Sequence, residues 1–174
     1  MGLTIADTYY LKAKAASDYD WDEVCESLNY ALSYDENHCA ALCLLGNVYA
    51  RNLNQFAKAF DCFDKVIAID SHYLDVYTDY AKYLIWADKT ERASKLIDFA
   101  FTLKGISKGS LYWLSGYAAE TKEDYKAALR HFKNAKKHSF NNDYFSFIVE
   151  EESRIKKKVK LNKPKVKKKS KKRK

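Results

Sequence analysis

An all-α chain built from repeated helix-turn-helix units is what these 174 residues predict, and three observations carry the prediction. Glycine and proline are scarce: five Gly and one Pro, Pro164, so roughly the first 160 residues lack the residue that most disrupts helices. Segments beginning near Cys39, Leu74 and Gly109 align at a 35-residue step, with a weaker segment 34 residues before them. The second half of each segment repeats one pattern of side-chain sizes on one helical face: Ala59, Phe63, Val66; then Ala93, Ile97, Ala100; then Ala128, Phe132, Ala135. Four- and three-residue steps put such residues on a common face, where small side chains admit a neighbouring helix and large ones fill the space between.

The N-terminal repeat follows the pattern least well. Leu28, Ala31 and Asp35 fit, while Lys12 stands at the small position and Val24 where the other repeats have Ala. Asp20 with Glu23 is an expected capping box for its second helix. The first helices of the next repeats read LCLLGNVYA around Gly46, VYTDYAKYL around Ala81 and LYWLSGYAA around Gly116. Glycine inside an exposed helix costs about 1 kcal/mol against Ala, so Gly46 and Gly116 imply a close helix crossing. Thr90 is the expected cap of the third repeat's second helix, and Asn142 or Asp143 starts a last helix over roughly 143–159. That helix opens with Tyr144, Phe145, Phe147 and Ile148 and turns charged, as the solubilising end of a repeat stack must.

On these residues the chain resembles the tetratricopeptide repeat family, whose unit is a helix-turn-helix of 34 residues. Leu42, Leu45, Gly46 and Tyr49 match its apolar, Leu-Gly, Tyr signature, and the fit covers roughly residues 5–141. The proline that closes each family unit is replaced by Glu36, Ser71, Gly105 and Phe140. The resemblance implies a right-handed solenoid of about four helix-turn-helix units plus a C-terminal capping helix, over residues 1–159, followed by a disordered basic tail over 160–174.

It also implies a protein-interaction scaffold whose concave groove, lined by the first helices, receives a partner peptide. The solvent-facing positions there are Tyr9, Ala13, Asn47, Arg51, Lys82, Trp86, Trp113 and Tyr117. Trp86 and Trp113 read equally well as anchors for a partner and as packing between repeats. The Lys-Asn-Arg clamp with which some family members hold a chaperone C-terminus is not matched. Asn47 fits, but Cys43 replaces the preceding Lys, and Asp79, Ser110 and Leu114 fill the remaining places.

No enzyme, cofactor or metal site is expected. His38, Cys39 and Cys43 lack a fourth ligand for zinc, and Cys is a common small buried residue. The sequence holds no nucleophile, base and orienter set and no glycine-rich phosphate loop. MGLTIADTYY lacks the basic and apolar regions of a secretory signal, Ala6 stands where a myristoylation motif needs Ser or Thr, and no run is long enough to span a membrane. With Cys25, Cys39, Cys43 and Cys62 in no disulfide framework, the expected location is cytoplasmic, or nuclear in a eukaryotic host.

Charge is segregated. Residues 156–174 hold 13 Lys or Arg and no acid, leaving 18 basic against 23 acidic residues before them. Too basic to fold, the tail presents Lys163, Lys165, Lys167, Lys168, Lys169, Lys171, Lys172, Arg173 and Lys174 for attraction to RNA, DNA or another polyanion. A nuclear import signal and a solubility appendage are the competing readings. They leave a second function open, a nucleic-acid-binding accessory factor in which the tail is the main binding element.

Overall fold

The computed structural model describes residues 2–17 and 20–162, and among them it contains nine helices and no strand. They are α1 (Ile5–Ala16), α2 (Trp21–Tyr34), α3 (Cys39–Arg51), α4 (Phe56–Ile69), α5 (Asp75–Trp86), α6 (Thr90–Ala100), α7 (Lys108–Thr121), α8 (Tyr125–Lys137) and α9 (Asn142–Leu161). A boundary between Ser107 and Lys108 divides them into two compact bodies. The N-terminal body holds three helix pairs, α1 with α2, α3 with α4 and α5 with α6. The C-terminal body holds α7 paired with α8, and α9 against α8. No helix among the described residues is long and apolar enough to cross a membrane.

Short side chains start four of these helices, α1, α2, α8 and α9, by satisfying backbone N–H groups that the first turn leaves over. Thr4 and Asp7 form a reciprocal capping box on α1: the Asp7 N–H donates to Thr4 Oγ1 at 3.0 Å and the Thr4 N–H to Asp7 Oδ2 at 2.8 Å. Asp20 accepts from the Glu23 N–H, but the expected box is half made, because Glu23 turns to Lys12 and to the Ser27 hydroxyl instead. At α6 the cap is Lys89, with no side-chain bond; Thr90 lies inside the helix, buried, its carbonyl accepting from Ser94 Oγ. Asn141, one residue before the expected positions, caps α9 through the Tyr144 N–H at 2.7 Å.

All nine residues of the small-large-small pattern are buried to 2% exposure or less. The glycines sit against the large members. A Cβ on Gly46 would lie 2.6 Å from the Phe63 ring, and one on Gly116 2.5 Å from the Phe132 ring. In the first repeat the small position falls one residue later than expected. Ala13 is fully buried, whereas Lys12 is exposed and paired with Glu23. With Val24, Leu28 and Ala31, Ala13 belongs to a cluster reaching Ala41 and Val48 of α3. In the C-terminal body Ala128, Phe132, Ala135, Ile148 and Ile155 form the corresponding cluster.

Candidate protein-binding cleft

In the N-terminal body, α3 and α5 face a cleft of about 260 Å³ lined by Trp21, Leu44, Asn47, Arg51, Lys82 and Tyr83 among others. A smaller depression of about 180 Å³ adjoins it, sharing Leu44, Asn47 and Asp79 and reaching Tyr10, Lys14 and Tyr73. Asn47 and Asp79 form the ridge between them, with Asn47 Nδ2 donating to Asp79 Oδ2 at 2.8 Å and to the Cys43 carbonyl at 3.1 Å. Lys82 Nζ donates to Asp79 Oδ1 at 3.2 Å and lies 4.4 Å from the centre of the Tyr83 ring. Asp79 is thereby neutralised inside the body, whereas exposed Arg51 makes no ion pair among the described residues. The cleft thus offers a guanidinium without an acid partner among the described residues, together with two aromatic rings and the apolar side chains of Leu44 and Val48.

Three of the groove positions expected from the sequence, Asn47, Arg51 and Lys82, open on this one cleft. The others lie elsewhere. Ala13 is fully buried in the core and offers no surface. Tyr9 turns toward α2, its ring 5.0 Å from Tyr30 and 6.0 Å from Tyr34. Trp86 is exposed at the end of α5, edge-on to Tyr83 at 5.3 Å, and lines neither depression. In the C-terminal body Trp113 stacks on Tyr117 with the ring planes 2° from parallel, packs on Phe147 of α9, and donates from Nε1 to Glu151 at 3.2 Å. Trp21 was not expected. It is the first residue of a second helix, 40% exposed, and the face pattern of second helices gives no sign that it reaches the cleft.

His38 caps α3. Its Nδ1 accepts from the Ala41 N–H at 3.1 Å, which leaves the ring proton on Nε2 to meet Asp7 Oδ1 at 3.1 Å. Hydrogen bonds from the Thr4 backbone and side chain, then from His38, hold the Asp7 carboxyl at about 2. Burial, and then the nearby Asp79, push the Cys43 thiol well above the usual thiol range, as its place in the core implies.

The lysine-rich end is partly structural. Residues 163–174, which hold the expected polyanion-binding cations, lie outside the described residues. Before them α9 continues to Leu161, past the expected limit near 159. Ile148, Glu152, Ile155 and Val159 line its inner face. Arg154 and Lys158 both bond to Glu120 Oε1 of α7, the latter at 2.6 Å, and Lys136 of α8 reaches Glu152 at 2.9 Å. Glu120 is 6% exposed.

Successive helix pairs closed by small-against-large contacts define a helical-repeat fold of the tetratricopeptide type. Among solved structures, PilF from Pseudomonas aeruginosa shares the fold at a TM-score of 0.72 and 16% identity, over 90% of this chain and 74% of that one. PilW, a type IV pilus biogenesis factor, aligns at 0.70 and 14% identity; the match covers 77% of this chain and only 62% of PilW. MamA from Desulfovibrio magneticus aligns at 0.65 and 15% identity, over 93% of this chain and 99% of that one. No family model matches the sequence, and no curated protein matches it.

Proposed function

We propose that the chain is a protein-interaction scaffold, not an enzyme, whose N-terminal-body cleft receives an extended segment of a partner protein. Arg51 carries the reading: it is exposed and without an acid partner among the described residues, on the wall of a cleft that also presents Trp21, Tyr83 and Leu44. A guanidinium of that kind favours a peptide carboxylate, and aromatic anchors supply most of the energy of such contacts. Asp79 is already held by Asn47 and Lys82, which leaves Arg51 as the cation free to meet an incoming acid. In this reading the scaffold works in the cytoplasm, or in the nucleus of a eukaryotic host, without metal or cofactor.

Selection of peptides from a random display library on the immobilised full chain tests it. Acidic-aromatic sequences should emerge whose affinity drops on the order of tenfold or more with Arg51→Ala or Leu44→Asp. Peptides that bind both variants as well as the wild type would sink the cleft as the site.

The segregated charge favours a second reading, a nucleic-acid-binding accessory factor anchored by residues 163–174. Salt distinguishes the two, since an anchor neutralising six to ten phosphates loses roughly 10³–10⁵ in affinity between 50 and 200 mM salt and a peptide in an apolar cleft loses far less.

A further inference from the structure

Aligned through Leu28, Phe63, Ile97 and Phe132, the outward positions of the four second helices differ in charge. On α2 they hold Asp22 and Glu26, on α4 Asp61 and Asp64, and on α6 Glu91 and Asp98 with Lys95 between them. On α8 the same positions hold Lys126, Arg130, Lys133 and Lys137, and the helix has no acid. At 100° per residue these four cations fall within about 60° of one another, opposite the buried Ala128, Phe132 and Ala135. All four are exposed, and none makes an ion pair among the described residues.

The chain itself carries the complement. Helix α2 has no base, and its Asp22 and Glu26 are exposed and without an ion pair among the described residues, Lys12 being bound to Glu23. Asp22 and Glu26 stand one turn apart, about 6 Å along the helix axis, and Lys126 and Arg130 repeat that spacing. The acids of α4 and α6 are less available: Arg92 holds Asp64 at 2.9 Å, and Lys58, Lys65 and Lys95 stand among the rest. Tyr30, next to Asn29 and 46% exposed, adds apolar area at the edge of the α2 face. On α8 a depression of about 270 Å³, lined by Asp124, Lys126, Ala127 and Arg130, has room for an acidic side chain. Asp124 already spends a carboxylate oxygen on the Ala127 N–H as the helix cap.

We infer that the basic face of α8 docks on the acidic face of α2 in a second copy of this chain. Each copy presents one face of either sign, so the contact joins unlike surfaces and can add further copies. Exposed charge pairs decide which surfaces meet, and how fast, more than how tightly they hold. The association is therefore weak at physiological salt and strengthens as salt is lowered. None of Asp22, Glu26, Lys126 and Arg130 lines the cleft proposed for a partner segment, so the two contacts are separable by mutation.

Sedimentation velocity of the full chain over a range of concentrations, at about 20 mM and about 300 mM salt, tests the inference. The weight-average mass should rise with concentration at the lower salt and fall back toward one chain at the higher. Lys126→Glu with Arg130→Glu, and separately Asp22→Lys with Glu26→Lys, should each weaken the association about tenfold or more, because like charges then face one another. An equal mixture of the two variants should associate again, since the reversed α8 of one meets the reversed α2 of the other. A control, Lys58→Glu with Lys104→Glu, both exposed in the N-terminal body, makes the same change in net charge as the α8 variant. It should leave the association within about twofold of the wild type. If circular dichroism shows that a reversal unfolds the chain, Arg130→Gln and Glu26→Gln take its place, each expected to weaken the association about threefold. A wild type that remains one chain at every concentration at the lower salt overturns the proposal, and α8-dependent capture of an oligonucleotide by that monomer would make the face a nucleic-acid contact instead. A mixture that fails to regain the association, or a control that loses as much as the α8 variant, overturns it equally.

Discussion

Gly46 meets the fully buried Phe63 ring so closely that a single added methyl group has nowhere to go, and Gly116 stands in the same relation to Phe132. In the intervening repeat the large residue is Ile97, and the corresponding first-helix residue is Ala81. Glycine appears where the filler is a phenyl ring and alanine where it is branched aliphatic, so the residues covary by volume. Gly46→Ala gains about 1 kcal/mol of helix propensity but forces the buried Phe63 ring to shift, and overpacking of that kind costs about 1–3 kcal/mol. Overpacking should win, and urea denaturation should find the variant less stable, with Gly46→Ala combined with Phe63→Leu losing less than the two changes summed. A stabilised Gly46→Ala would mean that the ring has room to move. This close crossing was legible in the sequence from two unexplained helical glycines. The choice of Ala13 over Lys12 was not, because a one-residue shift in register between repeats leaves no mark in composition.

His131 gives the residue scale a pH dependence. Burial, and then the Arg130 charge, push its pKa below the ordinary 6.5, while Asp124 opposes weakly. Its Nδ1 is buried without a partner among the described residues. The unfolded chain therefore takes up a proton before the folded one does, so stability is full above 6.5 and declines as pH falls toward the folded-state pKa. His131→Gln should flatten the change in urea midpoint between about pH 7.5 and 5.5; an unchanged pH profile would remove His131 as its source.

At the scale of elements, the turns inside the repeats and the docking of α9 were the parts hardest to read. Asn54, Asp88 and Glu123 all adopt positive φ, at 52°, 57° and 57°, in the turns after α3, α5 and α7. A left-handed residue with a Cβ costs roughly 1–2 kcal/mol, least for Asn and Asp, whose side chains bond locally. Glu123 has no such relief, so Glu123→Gly should raise stability by up to about 1 kcal/mol in thermal or urea denaturation. A loss would place the strain elsewhere.

The docking of α9 was hidden for a different reason. Ile148, Ile155 and Val159 keep helical spacing, but the lysines around them make the segment look like the start of a solvated tail. Only the fold shows that Lys158 and Arg154 converge on Glu120, an acid in another helix with nothing in its own neighbourhood to mark it. Glu120→Gln removes the charge both cations approach. Because Arg154 and Lys158 remain partly exposed and regain water, the expected cost is about 1–3 kcal/mol rather than that of stranding buried charges. Faster amide exchange should accompany it in the last turns of α9, and an unaltered exchange rate there would show that the apolar stripe alone holds the helix.

Across the whole molecule, size pattern and period together made the repeat fold legible, because burying a face demands the same few side-chain volumes in every repeat. The cleft was legible only in part. Asn47, Arg51 and Lys82 share a face within one body, but which aromatic rings adjoin them depends on side-chain turns that periodicity does not encode; thus Tyr9 and Trp113 pack on neighbouring helices while Trp21 reaches the cleft. The same locality of packing governs how damage spreads. Phe63 packs on Gly46, Tyr80 and Tyr83, and Phe132 on Gly116 within the α8–α9 cluster. With separate partners, Phe63→Ala and Phe132→Ala should each cost about 3–5 kcal/mol. Their local effects should also stay apart: hydrogen exchange in Phe63→Ala should rise first in α3, α4 and α5, and in Phe132→Ala first in α7, α8 and α9. Exchange that rises equally from α1 through α9 for either variant would mean that the chain opens only as one cooperative block, and the two cores would then have to be treated as one.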